Sequence, residues 1–177
     1  MATYTDSTGI TWNYTESGGN ATIGTGGEPS NATTLGTNLS GAITIPDTVD
    51  GYTVTGIARH AFSYCFNLTS IDLSGTQVTT IGEAAFYRCS SLTSILNIPD
   101  SVTTIGSQAF YYCTSLTSID LSGTQVETIG QYAFSNCSSL TSVDLGNSVT
   151  SIGQYAFSYC TKLTSIDIPD SVTTIDS

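Results

Sequence analysis

Five cysteines, Cys65, Cys89, Cys113, Cys137 and Cys160, follow one another at intervals of 24, 24, 24 and 23 residues. Each sits three residues after a Phe (Phe62, Phe86, Phe110, Phe134, Phe157), and an Ala precedes each of these five. Three residues beyond each Cys comes a Leu: Leu68, Leu92, Leu116, Leu140 and Leu163. Self-similarity at a fixed period of about 20–50 residues marks a repeat architecture. One such unit cannot bury its apolar set alone, so the units must stack and place equivalent side chains in shared columns.

Within a repeat, Leu68-Thr-Ser-Ile-Asp-Leu73 sets Ile71 and Leu73 against Ser70 and Asp72, the period-two pattern of a half-buried strand. A turn follows, Ser-Gly-Thr-Gln at 74–77 and 122–125 or Pro-Asp-Ser at 99–101 and 169–171. A short apolar pattern, Val78-Thr-Thr-Ile81-Gly82, leads into Ala-Phe-x-x-Cys, which reads as one helical or 3₁₀ turn. The predicted fold is an α/β repeat solenoid: a right-handed coil with parallel strands on one face and short helical turns on the other. Ile95-Leu96-Asn97-Ile98 carries one residue more than Ile166-Asp167-Ile168, which predicts a bulge at Leu96-Asn97.

Residues 1–42 do not repeat, and residues 43–177 hold about five coils, the last one incomplete. In the first segment, Ile10-Thr-Trp-Asn-Tyr-Thr15, a Gly-bearing turn and Ala21-Thr-Ile-Gly read as a capping β-hairpin with Trp12 as its anchor. The final half coil, Ile168–Ile175, carries no cap, which leaves an edge for a continuing chain or for a second molecule.

Composition excludes several partners. Three basic residues face 14 acidic ones, a formal net charge of −11. Binding to a phosphate backbone needs several Lys or Arg contacts, so nucleic acid is not an expected partner, nor is an anionic membrane surface. No apolar run approaches the roughly 20 residues that span a bilayer. Charged residues are only 10% of the chain. A surface so rich in hydroxyl groups suits an extracellular or cell-surface location, although the start of the sequence does not read as a signal peptide.

Catalytic chemistry finds few carriers. His60 is the one histidine, and its slot holds Ala84, Gln108, Tyr132 and Tyr155 in other coils, which reads as an exposed variable position. No catalytic triad, multi-histidine metal site or phosphate loop is apparent. The chain is expected to be non-enzymatic and to need no cofactor. The cysteines, one coil apart with parallel side chains, read as buried free thiols.

Two surface patterns remain as candidate binding surfaces. Asp72, Asp120, Asp144 and Asp167 share one strand position, interrupted at Asn97, and form an acidic column facing a cation or a basic partner, or simply solvent. Tyr64, Tyr87, Tyr111, Tyr112 and Tyr159 sit at the x positions of Phe-x-x-Cys, with Tyr132 and Tyr155 just before it. Ser63, Arg88, Asn136 and Ser158 share those x positions, which predicts partial exposure. Exposed Tyr serves protein and glycan contacts alike.

The phrase Ile-Pro-Asp-Ser-Val-Thr-Thr-Ile-Gly-x-x-Ala-Phe-x-x-Cys-x-x-Leu-Thr-Ser at 98–118 resembles the BspA-like, or Treponema pallidum-type, leucine-rich repeats. The resemblance covers about residues 43–177, and Thr11-Trp-Asn-Tyr and Val49-Asp-Gly-Tyr-Thr-Val resemble the cap of such proteins. It implies a non-enzymatic adhesion module of a surface or secreted protein, with a protein or glycan ligand on host matrix or cells. It supplies no catalytic residues to carry over. The competing expectation is structural self-assembly, with the C-terminal edge stacking on a neighbouring subunit.

Overall fold

The computed structural model describes residues 2–24 and 39–176. Part of the 1–42 segment therefore lies outside the described residues. Parallel strand pairing runs along two sides of a solenoid. The longer contains β6 (Tyr52–Ile57), β8 (Thr80–Ile81), β10 (Thr104–Ile105), β12 (Thr128–Ile129), β14 (Ser151–Ile152) and β15 (Thr174–Ile175), each in parallel register with the next. The other side carries β4 (Ser40–Thr44), β7 (Asn67–Asp72) and β9 (Ser94–Leu96) as one sheet, and β11 (Ser118–Asp120) with β13 (Ser142–Asp144) as a second.

The break between those two sheets falls where the chain carries its extra residue. β9 ends at Leu96, and Asn97 takes a left-handed φ of 51°. Instead of a bulge inside a continuous ladder, the ladder stops. Leu96 stands opposite Asp72 and is left 45% exposed.

Residues 2–23 form an antiparallel meander of β1 (Ala2–Thr5), β2 (Thr11–Ser17) and β3 (Asn20–Ile23), and β3 pairs in parallel with β6. Strand β5 (Thr48–Val49) pairs antiparallel with β6 on the same coil. Trp12 is fully buried, packs edge-on against Phe62 at 6.5 Å, and donates from Nε1 to Asp6 Oδ2 at 2.7 Å. Tyr14 donates its hydroxyl to Asp50 Oδ2 at 2.7 Å, and that bond is the main cause pushing the phenol pKa up to about 12.

The core is a set of columns. Phe62, Phe86, Phe110, Phe134 and Phe157 stack with centroid spacings of 4.9, 5.1, 5.3 and 5.4 Å and nearly parallel planes. The first four are fully buried, and Phe157 is half-buried. Beside them runs a thiol column. Cys89, Cys113, Cys137 and Cys160 donate their S–H to the carbonyls of Phe62, Phe86, Phe110 and Phe134 at 3.1–3.2 Å. All five cysteines are free and buried. Burial pushes the Cys65 and Cys160 thiols up to about 11 and the three between them higher still. Where coils meet most closely, glycine is required. A Cβ at Gly130 would stand 2.4 Å from Ser107 N, and one at Gly106 2.7 Å from Glu83 N.

The expected helical turn at Ala-Phe-x-x-Cys is not formed, and no helix occurs among the described residues, so the α/β assignment is corrected to an all-β solenoid. The reason lies in the backbone. His60 and Tyr64 have φ of 56° and 63°, and the equivalent residues of every later coil do the same. Left-handed residues at these positions prevent a helix from propagating. Their amides turn outward: His60, Phe62 and Tyr64 donate to the carbonyls of Glu83, Ala85 and Tyr87 in the next coil. Ala61, Ser63 and Cys65 instead donate to the carbonyls of Ala58, His60 and Phe62, closing successive tight turns. The same alternation recurs through Asn136, so the turn side is a third ladder of intercoil bonds.

Candidate functional site

The five Tyr x-position candidates lie on this turn side, and the ladder fixes their spacing. Tyr64 meets Tyr87 edge-on at 5.5 Å, and Tyr87 stacks on Tyr111 at 5.2 Å. Tyr111 meets Tyr112 edge-on at 4.8 Å and Tyr132 nearly perpendicular at 6.2 Å, and Tyr132 stacks on Tyr155 at 5.2 Å. Arg88 lies over Tyr87 and Tyr112, 5.7 and 5.1 Å from their centroids, a cation–π arrangement. Tyr112, Tyr155 and Tyr159 are exposed by 37%, 50% and 73%. Burial, with Tyr112 and Tyr87 adding, raises the Tyr111 pKa.

The aromatic row changes column part-way along. In the coils of Tyr87 and Tyr111 the ring occupies the first x position. In the next two coils Ser135 and Ser158 take that position, and the rings move to Tyr132 and Tyr155 just before the Ala. A small residue in place of a ring leaves a hollow. An open groove of about 340 Å³ lies there, lined by Tyr111, Tyr132, Tyr155 and Tyr159 with Ser135, Ser158 and Asn136. The Asn136 amide donates to Ser135 Oγ at 3.0 Å. The column change is written in the sequence, and aligning the three positions coil by coil would have exposed it.

Exposure along the turn is less uniform than expected. Ser63 and Ser135 are buried, while Tyr64, Tyr87, Tyr111, Asn136 and Ser158 are partly covered and Arg88 is exposed. His60 is also a correction, being only 8% exposed. Its Nδ1 pairs with Ser63 Oγ at 3.1 Å, and Ser63 in turn donates to the Ala84 carbonyl at 2.8 Å, so the side chain folds back on its own coil.

The acidic column is not continuous. Asp120 and Asp144 are register partners, but Asp72 faces Leu96, and Asp167 lies outside any strand. Each strand aspartate has a local task. Asp72, Asp120 and Asp144 accept the N–H of Ser74, Ser122 and Gly146, two residues on, at 2.8–2.9 Å, which shapes the turn after the strand. Asp72 also accepts from the Asn97 amide at 2.9 Å, the main cause holding its pKa below the usual value; the Ser122 bonds do the same for Asp120. Asp144 and Asp167 line one open hollow of about 310 Å³. Among the described residues no group of three or more His, Cys, Asp or Glu is placed to hold a metal ion.

Stacked coils with inward Leu, Ile, Phe and Cys columns and parallel strands on two sides define a leucine-rich repeat solenoid. Residues 55–177 match the model of the BspA type leucine rich repeat region in six copies, and the chain belongs to that family. A Treponema pallidum leucine-rich repeat protein of known structure is 29% identical with a TM-score of 0.77, the match covering 98% of this chain and 81% of that one. A leucine rich cell surface protein from Faecalibacterium prausnitzii is 30% identical with a TM-score of 0.69, covering all of this chain and 51% of that one. The pneumococcal vaccine antigen PcpA, 22% identical with a TM-score of 0.67 over 99% of this chain and 46% of its own, shares the fold. The chain thus spans about half the length of the latter two proteins. No curated protein sequence matches it. Neither the family description nor those of these neighbours names a catalytic activity.

Proposed function

We propose that this chain is a non-enzymatic binding module of a surface or secreted protein, presenting its Tyr-bearing turn face to an extracellular protein or glycan. The observation that carries the reading is the row of Tyr rings held coil by coil on a hydrogen-bonded backbone ladder, with Tyr112, Tyr155 and Tyr159 exposed. Tyr gives a large amphipathic contact with few rotors to immobilise. Placing it on a backbone of fixed spacing lowers the ordering cost of binding further. Membership of the BspA-type family and similarity to a protein described as a cell surface protein support the location.

The test is binding of labelled chain to immobilised matrix proteins and a broad glycan array. Retention on at least one component, lost when Tyr112, Tyr155 and Tyr159 are changed together to Ala, is expected. Failure to bind any component removes the reading. Self-assembly through the coil that exposes Ile168 and Ile175 is the second reading. Light scattering separates the two, since a concentration-independent monomer sinks it.

A further inference from the structure

We propose that the groove between Tyr111 and Tyr159 is a binding site for a neutral oligosaccharide, a sugar ring lying against Tyr155 and Tyr159 with its hydroxyls on Asn136 and Ser158. This inference rests on the binding-module reading above and narrows it to one ligand class and one place.

Three observations converge there. First, the groove is lined only by uncharged residues, four Tyr, two Ser and one Asn, on a chain of net charge −11. An anionic ligand meets repulsion with no cation in the lining to offset it, and a cationic one finds no carboxylate. A neutral ligand that hydrogen-bonds through hydroxyls fits this chemistry.

Second, the rings differ in what they have left to offer. Tyr132 spends one face on Tyr155, and Tyr87 and Tyr111 spend faces on each other. Tyr159 has no aromatic partner among the described residues and is 73% exposed, and Tyr155 is half exposed beyond its stack with Tyr132. Ring surface of Tyr155 and Tyr159 is therefore available at this groove. An aromatic face beside amide and hydroxyl groups is complementary to a pyranose, which has an apolar C–H face and a polar rim.

Third, the two coils that wall the groove are already joined to each other through their backbones. Tyr132, Phe134 and Asn136 give their N–H groups to Gln154, Ala156 and Ser158 of the next coil. Adding a peptide strand requires an unpaired edge, and on the Tyr132–Asn136 wall these donors are taken. On that wall recognition comes from side chains, as it does for a sugar. The volume of about 340 Å³ lies at the small end of ligand sites and suits one or two sugar rings.

The experiment is calorimetric titration of the whole chain with cellotetraose, xylotetraose, mannotetraose and N-acetylchitotetraose, and with an acidic uronate tetrasaccharide. Immobilised fibronectin and collagen are tested in parallel, and the Asn136 side-chain amide is followed by NMR. At least one neutral tetrasaccharide is expected to bind in the micromolar to low-millimolar range and to shift the Asn136 amide. Tyr155→Ala and Tyr159→Ala should each weaken it about tenfold or more. Gln77→Ala, on another turn, should leave affinity unchanged, and all three variants should keep the parent melting temperature. No neutral binding, binding of the acidic sugar alone, or affinity indifferent to both Tyr variants overturns the proposal. If fibronectin or collagen binds while no tetrasaccharide does, the groove inference falls and the binding-module reading stands; if nothing binds, both fall.

Discussion

Replacing Phe110 by Ala should be far more damaging than replacing Phe157, although the two residues occupy the same column. Phe110 is fully buried and has a ring on each side, Phe86 at 5.1 Å and Phe134 at 5.3 Å. Phe157 is half-buried and stacks on Phe134 alone at 5.4 Å. Truncating a buried Phe in a core costs about 3–5 kcal/mol, transfer and cavity together. Loss of two ring contacts places Phe110→Ala near the top of that range, about 4–5 kcal/mol. Incomplete burial and a single ring contact give roughly 2 kcal/mol for Phe157→Ala. For a chain of this size each kcal/mol moves the melting temperature by about 2–4 °C. The expected falls are thus about 8–20 °C against about 4–8 °C. Circular dichroism melts, with urea unfolding as a second measure, resolve such a gap. Equal losses at the two sites would refute the idea that stability accumulates coil by coil from contacts with both neighbours.

Gly130→Ala should lower the melting temperature markedly, since overpacking costs about 1–3 kcal/mol and the new Cβ meets backbone on the preceding coil; an unchanged melt would show that the coils are free to separate. The buried thiols should not react with a disulfide reagent at pH 8 until the chain is unfolded. Their folded pKa values lie above the ordinary 9.0, so between those values the unfolded chain has lost protons that the folded chain keeps. Stability should therefore be flat below about pH 9 as far as the thiols are concerned and fall as pH rises above it; a pH-independent alkaline limb in urea titrations would contradict this. Asp120→Ala should cost about 1 kcal/mol by freeing the Ser122 N–H, whereas Asp120→Asn keeps an acceptor oxygen and should be close to neutral. Equal destabilisation by both variants, or a large rise in melting temperature on adding calcium, would point to the charge instead.

Much of the solenoid can be read from letters that recur for a physical reason. Phe86, Cys89 and Leu92 repeat because each must fill the same place in a column, and a column allows little variation. The turn side was harder to read. Residues at positive φ are usually signalled by Gly or Asn, but here Tyr64, Arg88, Tyr112 and Tyr159 adopt that conformation. Intercoil hydrogen bonds hold Tyr64, Arg88 and Tyr112 there, and those bonds are long-range, so a local reading of Ala-Phe-x-x-Cys returns a helical turn. The aspartates misled for the opposite reason. Their spacing suggested one charged column, yet each serves the turn two residues ahead, and the extra residue at Leu96-Asn97 breaks the register between them. His60 was placed by comparison with its counterparts, and comparison could not foresee its pairing with Ser63. The Tyr positions were legible as a set. The groove was not, because it arises from the move of the rings between columns and not from the rings themselves.

The turn-side ladder also gives the molecule a direction. From His60 to Asn136, three N–H groups of each coil point to the coil after it, and the carbonyls that receive them all point back. Each junction is a plug and a socket of one gender order. A coil could be exchanged or duplicated at any of these junctions if it enters in the same sense, while a reversed one would set donors against donors. Exchanging coils that differ only at the x positions and the residue before the Ala would therefore redraw the outer surface and leave the joints intact.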